Sequence, residues 1–244
     1  MDIAERVLQL KTDFKDVYYA GINSEYDAFW DGVQDYGRRE QYRNAFFQWR
    51  NEYIRPKYKI MPSKYTSYGM FESCENLKII EKEYFDFSNY TPSNDSTSNR
   101  CWYYTFSNCK SIEIFYDLGL KAGGYVNTWR FCRNLHTIEI MRCCEDGVYS
   151  TPFYDCTKLK NIEIEGEIGE SFPIPDSPLT TDSLKSIITH LKDFSGIGGR
   201  VRTLTVKASA FEELEAEGAT AEYNGVPCTW AELIDNKEWN LVKA

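Results

Sequence analysis

Apolar residues recur along this chain at three spacings, and each spacing predicts a different element. From residue 2 to about residue 20 they fall at Ile3, Val7, Leu10, Phe14 and Val17, in steps that alternate four and three. That is a narrow helical seam of period 3.5, as in a coiled coil, and Glu5, Arg6, Lys11, Asp13, Lys15 and Asp16 occupy the other faces. So thin a stripe must pack on a partner copy, giving a dimer or trimer, or on the body of its own chain. Gly21 ends that helix. Tyr26, Phe29, Trp30 and Val33 follow at helical spacing up to Gly37, and Phe46, Phe47, Trp49 and Tyr53 crowd a third piece. Arg55-Pro56 then breaks the helix, and the chain turns extended through Tyr58 to Pro62.

The third spacing is a repeat. Trp129-x-x-Cys132-x-x-Leu135-x-x-Ile138-Glu-Ile140 returns as Phe153-x-x-Cys156-x-x-Leu159-x-x-Ile162-Glu-Ile164, an offset of 24 residues. Phe71-x-x-Cys74-x-x-Leu77 and Phe106-x-x-Cys109-x-x-Ile112 are earlier copies. Cys109 to Cys132 is 23 residues, whereas Cys74 to Cys109 is 35. The excess falls in a polar tract, Ser88 to Asn99, that reads as a surface loop. A fixed period of this size belongs to stacked units, each burying its apolar ridge only against its neighbours. The aromatic helices before the repeats then make a lid, since a stack leaves its end open to water without one.

After Ile164 the pattern loosens. Pro173, Pro175 and Pro178 lead into an amphipathic helix from Thr181, with Leu184, Ile187, Ile188 and Leu191 on one side and Gly196, Gly198 and Gly199 as its stop. Val201 to Val206 reads as a last strand matching Leu159-x-x-Ile162-x-Ile164. Two short helices close the chain, one from Ala208 to Glu217 and one opened by the capping box of Thr229-Trp-Ala-Glu. Trp230, Leu233 and Trp239 are expected to seal that end.

Composition narrows the function classes. Net charge is −9, so a phosphate-binding surface is disfavoured and nucleic acid is not an expected partner. No run of about 18 apolar residues exists, and Met1-Asp-Ile-Ala-Glu-Arg lacks the basic start and apolar core of a secretion signal. Of the eight cysteines, four recur at one repeat position, where they would point the same way as small buried hydrophobes. Reduced thiols are expected, with no disulfide framework.

The string aromatic-x-x-Cys-x-x-Leu-x-x-Ile-x-Ile resembles the BspA-type leucine-rich repeats of surface and prophage-encoded proteins of gut and oral bacteria. The match covers about residues 65 to 206, in four copies and a divergent fifth. The layout is also similar to prophage proteins of this class: a short N-terminal coiled coil, a segment such as Glu25-Tyr-Asp-Ala-Phe-Trp-Asp-Gly, then repeats and a Trp-containing end. The resemblance implies one short strand per unit along a curved solenoid, recognition of proteins or glycans, and no shared catalytic residues. The copies are few, and Tyr116 and Asp117 stand where Ile-rich strand ends belong, so a small head is expected rather than a long adhesive array.

The expected fold is therefore an α/β repeat solenoid, a short leucine-rich-repeat stack with helical caps. Its parts are an N-terminal helix (1–20), an aromatic helical cap (21–62), the repeats (63–207) and a C-terminal helical cap (208–244). Cys74, Cys109, Cys132, Cys156, Leu77, Leu135, Leu159, Ile138 and Ile162 form the repeat core. With the strands aligned, Glu81, Tyr116, Glu139, Glu163 and Thr205 make one exposed column, and Ile79, Ile114, Thr137, Asn161 and Thr203 its neighbour. Adjacent strands lie about 4.8 Å apart, so Glu139 and Glu163 would repel unless a cation or solvent relieved them. This face is the candidate ligand surface.

Metal and catalytic alternatives are weaker. Cys132 with His136 makes one Cys-x-x-x-His pair, but Cys132 already serves the repeat, and Cys143-Cys144 on a strand would face opposite ways. Neither His136 nor His190 lies in a nucleophile motif, and Ser195-Gly-Ile-Gly-Gly199 follows a helix without opening one. A glycosidase carboxylate pair is the remaining enzymatic reading. No cofactor, metal or catalytic residue is expected. The function expected is a non-enzymatic virion component, in a tail, fibre or surface appendage, that meets other virion proteins or a bacterial surface protein or glycan. The alternative is a free bacterial interaction module, made in the cytoplasm.

Overall fold

A computed structural model describes residues 71–74, 77–78, 102–119, 124–197, 199, 201–218 and 220–244. The N-terminal seam (Ile3, Val7, Leu10, Phe14, Val17), the aromatic cap, Glu81 and the 88–99 loop lie outside the described residues.

The repeat spacing of three and three is a pair of consecutive tight turns. In each unit the cysteine amide donates to the carbonyl of the aromatic three residues back, as Cys132 does to Trp129 at 3.0 Å and Cys156 to Phe153 at 3.0 Å. The Leu or Ile amide then donates to the cysteine carbonyl, as Leu135 does to Cys132 and Leu159 to Cys156, both at 3.1 Å. The residue before each cysteine is left-handed: Ser73, Asn108, Phe131 and Asp155 have φ of 60°, 61°, 63° and 60°. A turn with positive φ at its third position needs this conformation. Ser, Asn and Asp tolerate it, whereas bulky Phe131 is strained there. Its ring is held edge-on to Tyr154 at 5.5 Å with the Arg130 guanidinium 4.6 Å from its centre.

Cysteine joins one unit to the next. The Cys109 thiol donates to the Phe71 carbonyl at 2.9 Å, Cys132 to Phe106 at 3.0 Å and Cys156 to Trp129 at 3.0 Å. Each aromatic carbonyl thus accepts twice, once from its own cysteine amide and once from the next unit's thiol, which uses both lone pairs. All four sulfurs are fully buried. Above them runs a ring stack, with Phe71 on Phe106 at 5.3 Å and Trp129 on Phe153 at 5.3 Å. Phe115 fills the step between, edge-on to Phe106 and to Trp129.

On the opposite side three short parallel strands lie in order: β1 (Ile114–Phe115), β2 (Thr137–Arg142) and β3 (Asn161–Glu165). Ile114 pairs with Thr137 and Thr137 with Asn161, while Phe115, Ile138 and Ile162 turn inward beside them. After Ile138 a bulge intervenes, so Met141 and not Ile140 partners Ile164 and takes the buried place. The sheet does not run on past β3. Helix α1 (Thr181–Thr189) covers its edge, and two serines complete the bonding: Ile162 donates to the Ser183 hydroxyl and Ile164 to that of Ser186, both at 2.9 Å. An edge strand whose amides are bonded this way has no free template for further pairing.

Helix α1 begins at the Thr180 cap, which accepts from the Ser183 amide, and buries Leu184, Ile187 and Ile188 at helical spacing. It ends at Thr189, well before the glycines expected to stop it. The reason is tertiary: Leu191 forms a parallel bridge with Ile168, and the amides of Ile168 and Lys192 bond across it. The Lys237 ammonium closes the helix by donating to the carbonyls of Ile188, Thr189 and Leu191.

A second parallel sheet has β5 (Arg202–Val206) in the middle, between β4 (Phe172–Ile174) and β8 (Trp239–Lys243). This corrects two expectations. Thr203 and Thr205 belong to this sheet and do not extend the Thr137–Asn161 and Glu139–Glu163 columns, because α1 occupies the place beside β3. The end of the chain is also not purely helical: β8 crosses the expected boundary at 207 to pair with β5. Helices α2 (Ala208–Ala216) and α3 (Trp230–Asn236) flank a hairpin of β6 (Ala221–Tyr223) and β7 (Val226–Cys228). The hairpin turns on Asn224-Gly225, both at positive φ, as a two-residue loop requires. Thr229 and Glu232 form the full capping box of α3. Trp239 is buried, with its indole N–H donating to the Lys192 carbonyl at 2.8 Å.

Candidate recognition face

The outward positions of β2 and β3 bring together four of the seven residues expected on the ligand surface. Asn161 donates to the Thr137 hydroxyl at 3.3 Å, and His136 Nδ1 lies 3.0 Å from the same oxygen. Glu139 and Glu163 are exposed on the neighbouring positions. Tyr116 follows β1 and is 37% exposed. Thr205 is on the second sheet, and Glu81 is not among the described residues.

The expected repulsion between Glu139 and Glu163 is resolved locally. Glu139 accepts the Asp117 amide at 2.9 Å, so its carboxylate is tied back toward the segment after β1. The bulge also sets Glu139 and Ile140 together against Glu163 alone, which breaks the strict side-by-side column. No cation is needed.

Arg142 is the charge that sequence reasoning missed. Its Nε donates to Asp117 Oδ1 at 3.0 Å and its Nη2 to Asp117 Oδ2 at 2.8 Å, a two-pronged grip, while Nη1 pairs with Glu165. One guanidinium thus ties the segment after β1 to β2 and β3. Only Arg has the planar fork for that task. The Asp117 bond raises its pKa further above the ordinary arginine value, against a smaller opposing effect of partial burial. An Arg142→Ala variant is expected to lose about 1–2 kcal/mol, since bidentate networks exceed the usual surface pair. Thermal melts at low and high salt test this; a loss that is the same in 1 M salt would remove the electrostatic account. The signal was in the sequence: Asp117, Arg142 and Glu165 each sit near a repeat's strand end, with alternating sign.

The described repeat cysteines, Cys74, Cys109, Cys132 and Cys156, are buried thiols. Burial pushes the Cys132 thiol up to about 12, against the weaker lowering effect of its hydrogen bond with Cys109. Burial raises Cys156 well above the ordinary thiol value too. Neutral thiols are therefore favoured in the fold, so stability is full below the unfolded thiol pKa of about 8.5 and falls as pH rises through the folded value near 12. Loss of the native fold signal between those limits is the expected titration. In native protein at pH 8, an alkylating reagent should reach the half-buried Cys144 and Cys228 before any of Cys74, Cys109, Cys132, Cys143 or Cys156. Mass spectrometry of the labelled peptides gives the order, and early modification of Cys132 would contradict the burial argument.

The remaining candidates have structural partners. All seven described cysteines are free thiols, and among the described residues no three His, Cys, Asp or Glu side chains are grouped to hold a metal ion. His190 caps α1, with Nδ1 2.7 Å from the Ser186 carbonyl. Ser195 sits in a turn whose amide donates to Asp193, and the Tyr223 hydroxyl donates to the Asp193 carboxylate while accepting from the Ser195 hydroxyl. Among the described residues no helix is long and apolar enough to cross a membrane. Comparison with protein-family models, curated proteins and solved structures finds no match to this chain.

Proposed function

We propose that this protein is a non-enzymatic binding module, a short leucine-rich-repeat solenoid of the BspA type that presents the β2–β3 face to a partner protein or glycan. The observation that carries the reading is the thiol rung: successive units are joined by the same Cys-to-aromatic-carbonyl bond, three times over. A scaffold locked at every step holds Thr137, Glu139, Asn161 and Glu163 in fixed relative positions, which favours recognition. Its place is in a phage or prophage virion, as part of a tail, fibre or surface appendage, attached through the residue 1–20 seam; this part rests on the sequence resemblance.

The test has two arms. Mass spectrometry of phage particles released from the cell that encodes the chain should find it as a stoichiometric component; finding it only free in the cell would favour the unattached bacterial module. Particles or purified chain carrying Glu163→Lys with Asn161→Ala should bind the target cell at least ten-fold less while melting normally. Glu139 is left intact because it bonds the Asp117 amide. Undiminished binding would move the recognition surface elsewhere.

A further inference from the structure

The backbone ladder that joins the units stops after the fourth one. Before it, alternate amides donate to the next unit's carbonyls at 2.8–3.0 Å: Tyr125 to Val148, Asn127 to Ser150, Trp129 to Pro152 and Phe131 to Tyr154. One unit on, the amides of Tyr149, Thr151 and Phe153 meet no carbonyl of the following segment among the described residues. Asp155, next in the series, donates at 2.8 Å to the Asp176 carboxylate instead. At the other end Gly169 is pressed on Glu145, so closely that a Cβ there would come within 1.9 Å of the Glu145 carbonyl oxygen. The two segments are pinned at both ends and part between them. An open cleft of about 550 Å3 fills the parting, with Tyr149 and Thr151 on one wall, Pro173, Thr203 and Thr205 on another, and Asp146 beside them. Thr151, at a φ of 47°, repeats the left-handed turn of Tyr104 and Asn127 in the preceding units, and its hydroxyl donates to Asn127 Oδ1 at 2.7 Å, so this wall of the cleft is fixed by the repeat itself.

We infer that this cleft binds a short neutral saccharide of two or three rings, non-covalently. Its volume lies within the range of small-ligand sites. Its chemistry mixes backbone donors, the two-way hydroxyls of Ser150, Thr203 and Thr205, and the acceptor-only carboxylates of Asp146 and Glu170. A ligand made of hydroxyl groups, each donor and acceptor at once, matches that mixture. The carboxylates repel phosphate and sulfate, as does the net charge of −9. A peptide is the competing occupant, and the experiment below separates the two. Pro173 and Val148 supply apolar surface for the ring C–H faces. The inference rests on the binding-module reading only for the absence of turnover.

The experiment screens the full chain on an array of neutral hexose and N-acetylhexosamine oligosaccharides, with a basic decapeptide set as comparison, followed by calorimetric titration of the best saccharide. Thr203→Val and Thr205→Val keep the strand shape and remove one hydroxyl each. Each is expected to weaken saccharide binding about ten-fold, the effect of one lost hydrogen bond to a ligand hydroxyl. Asp146→Ala should do the same, while Glu163→Lys on the recognition face should not. No saccharide binding, binding indifferent to the three cleft variants, or cleft-dependent binding of the peptides alone would each overturn the inference. None of these touches the target-cell test of the recognition face. Chromatographic detection of saccharide cleavage would instead keep the cleft and reject the non-enzymatic reading.

Discussion

Replacing Trp129 with alanine is expected to lower the free energy of unfolding by about 3–5 kcal/mol. Against a typical total of about 5–15 kcal/mol that is a large share of the whole. Trp129 is 1% exposed and lies in the middle of the ring stack. It is parallel to Phe153 at 5.3 Å and 5°, stacked on Tyr125 at 5.3 Å, and edge-on to Phe115 at 5.1 Å. Its removal therefore opens a void that touches three successive units, none of which can collapse without breaking the backbone ladder at Pro152. Its indole N–H is buried without a partner among the described residues. Trp129→Phe should therefore cost much less, because it keeps a ring in the stack and removes a donor whose desolvation costs about 1–3 kcal/mol. Urea denaturation of both variants measures the difference. An alanine variant within 1 kcal/mol of the parent would mean that the ring stack does not hold the units together.

The second large effect is expected at Gly169. A methyl group there would stand 1.9 Å from the Glu145 carbonyl oxygen and 2.8 Å from its carbon, so backbone has to move. A shift of the Glu145 backbone also disturbs the pairing of its carboxylate with Lys192, which lies beside the Ile168–Leu191 bridge. Gly169→Ala is expected to destabilise by about 3 kcal/mol, the upper part of the overpacking range. Gly196→Ala is the internal control. Nothing lies within 4 Å of a Cβ at that position, so only its φ of 71° opposes the change. It should cost about 1–2 kcal/mol. Equal losses at the two positions in urea titrations would reject close packing as the cause at Gly169. The same substitution tests the cleft, since one of its two pins is this contact.

Much that is local was legible in the chain. The two successive turns that Trp129, Cys132 and Leu135 close came from the structure, whereas the period that returns these residues as Phe153, Cys156 and Leu159 is read directly. The capping box at Thr229 and Glu232 and the apolar stripe of α1 belong to the same category. Asn224-Gly225 carried an equally local hairpin signal that the helical reading of the tail passed over. Phe131 shows where local rules stop: nothing about phenylalanine announces a φ of 63°, which the stack imposes and Tyr154 and Arg130 support.

The candidate site divides along the same line. That Thr137 and Asn161 share a column follows from the repeat period, and the structure gives them a hydrogen bond. That Glu139 is tied to an amide, and that Arg142 grips Asp117, depends on a bulge after Ile138 that no spacing rule marks.

The sequence by itself determined the repeat period, the inward cysteines and the polar outward positions, because each is settled within one unit or by its period. Only the tertiary structure decided where the first sheet stops, which strand Thr205 joins and why α1 ends at Thr189. Those outcomes turn on which surfaces meet across the chain, Ser183 and Ser186 against the edge of β3 and Leu191 against Ile168. Residues so far apart in sequence meet only when the whole set of contacts is satisfied together.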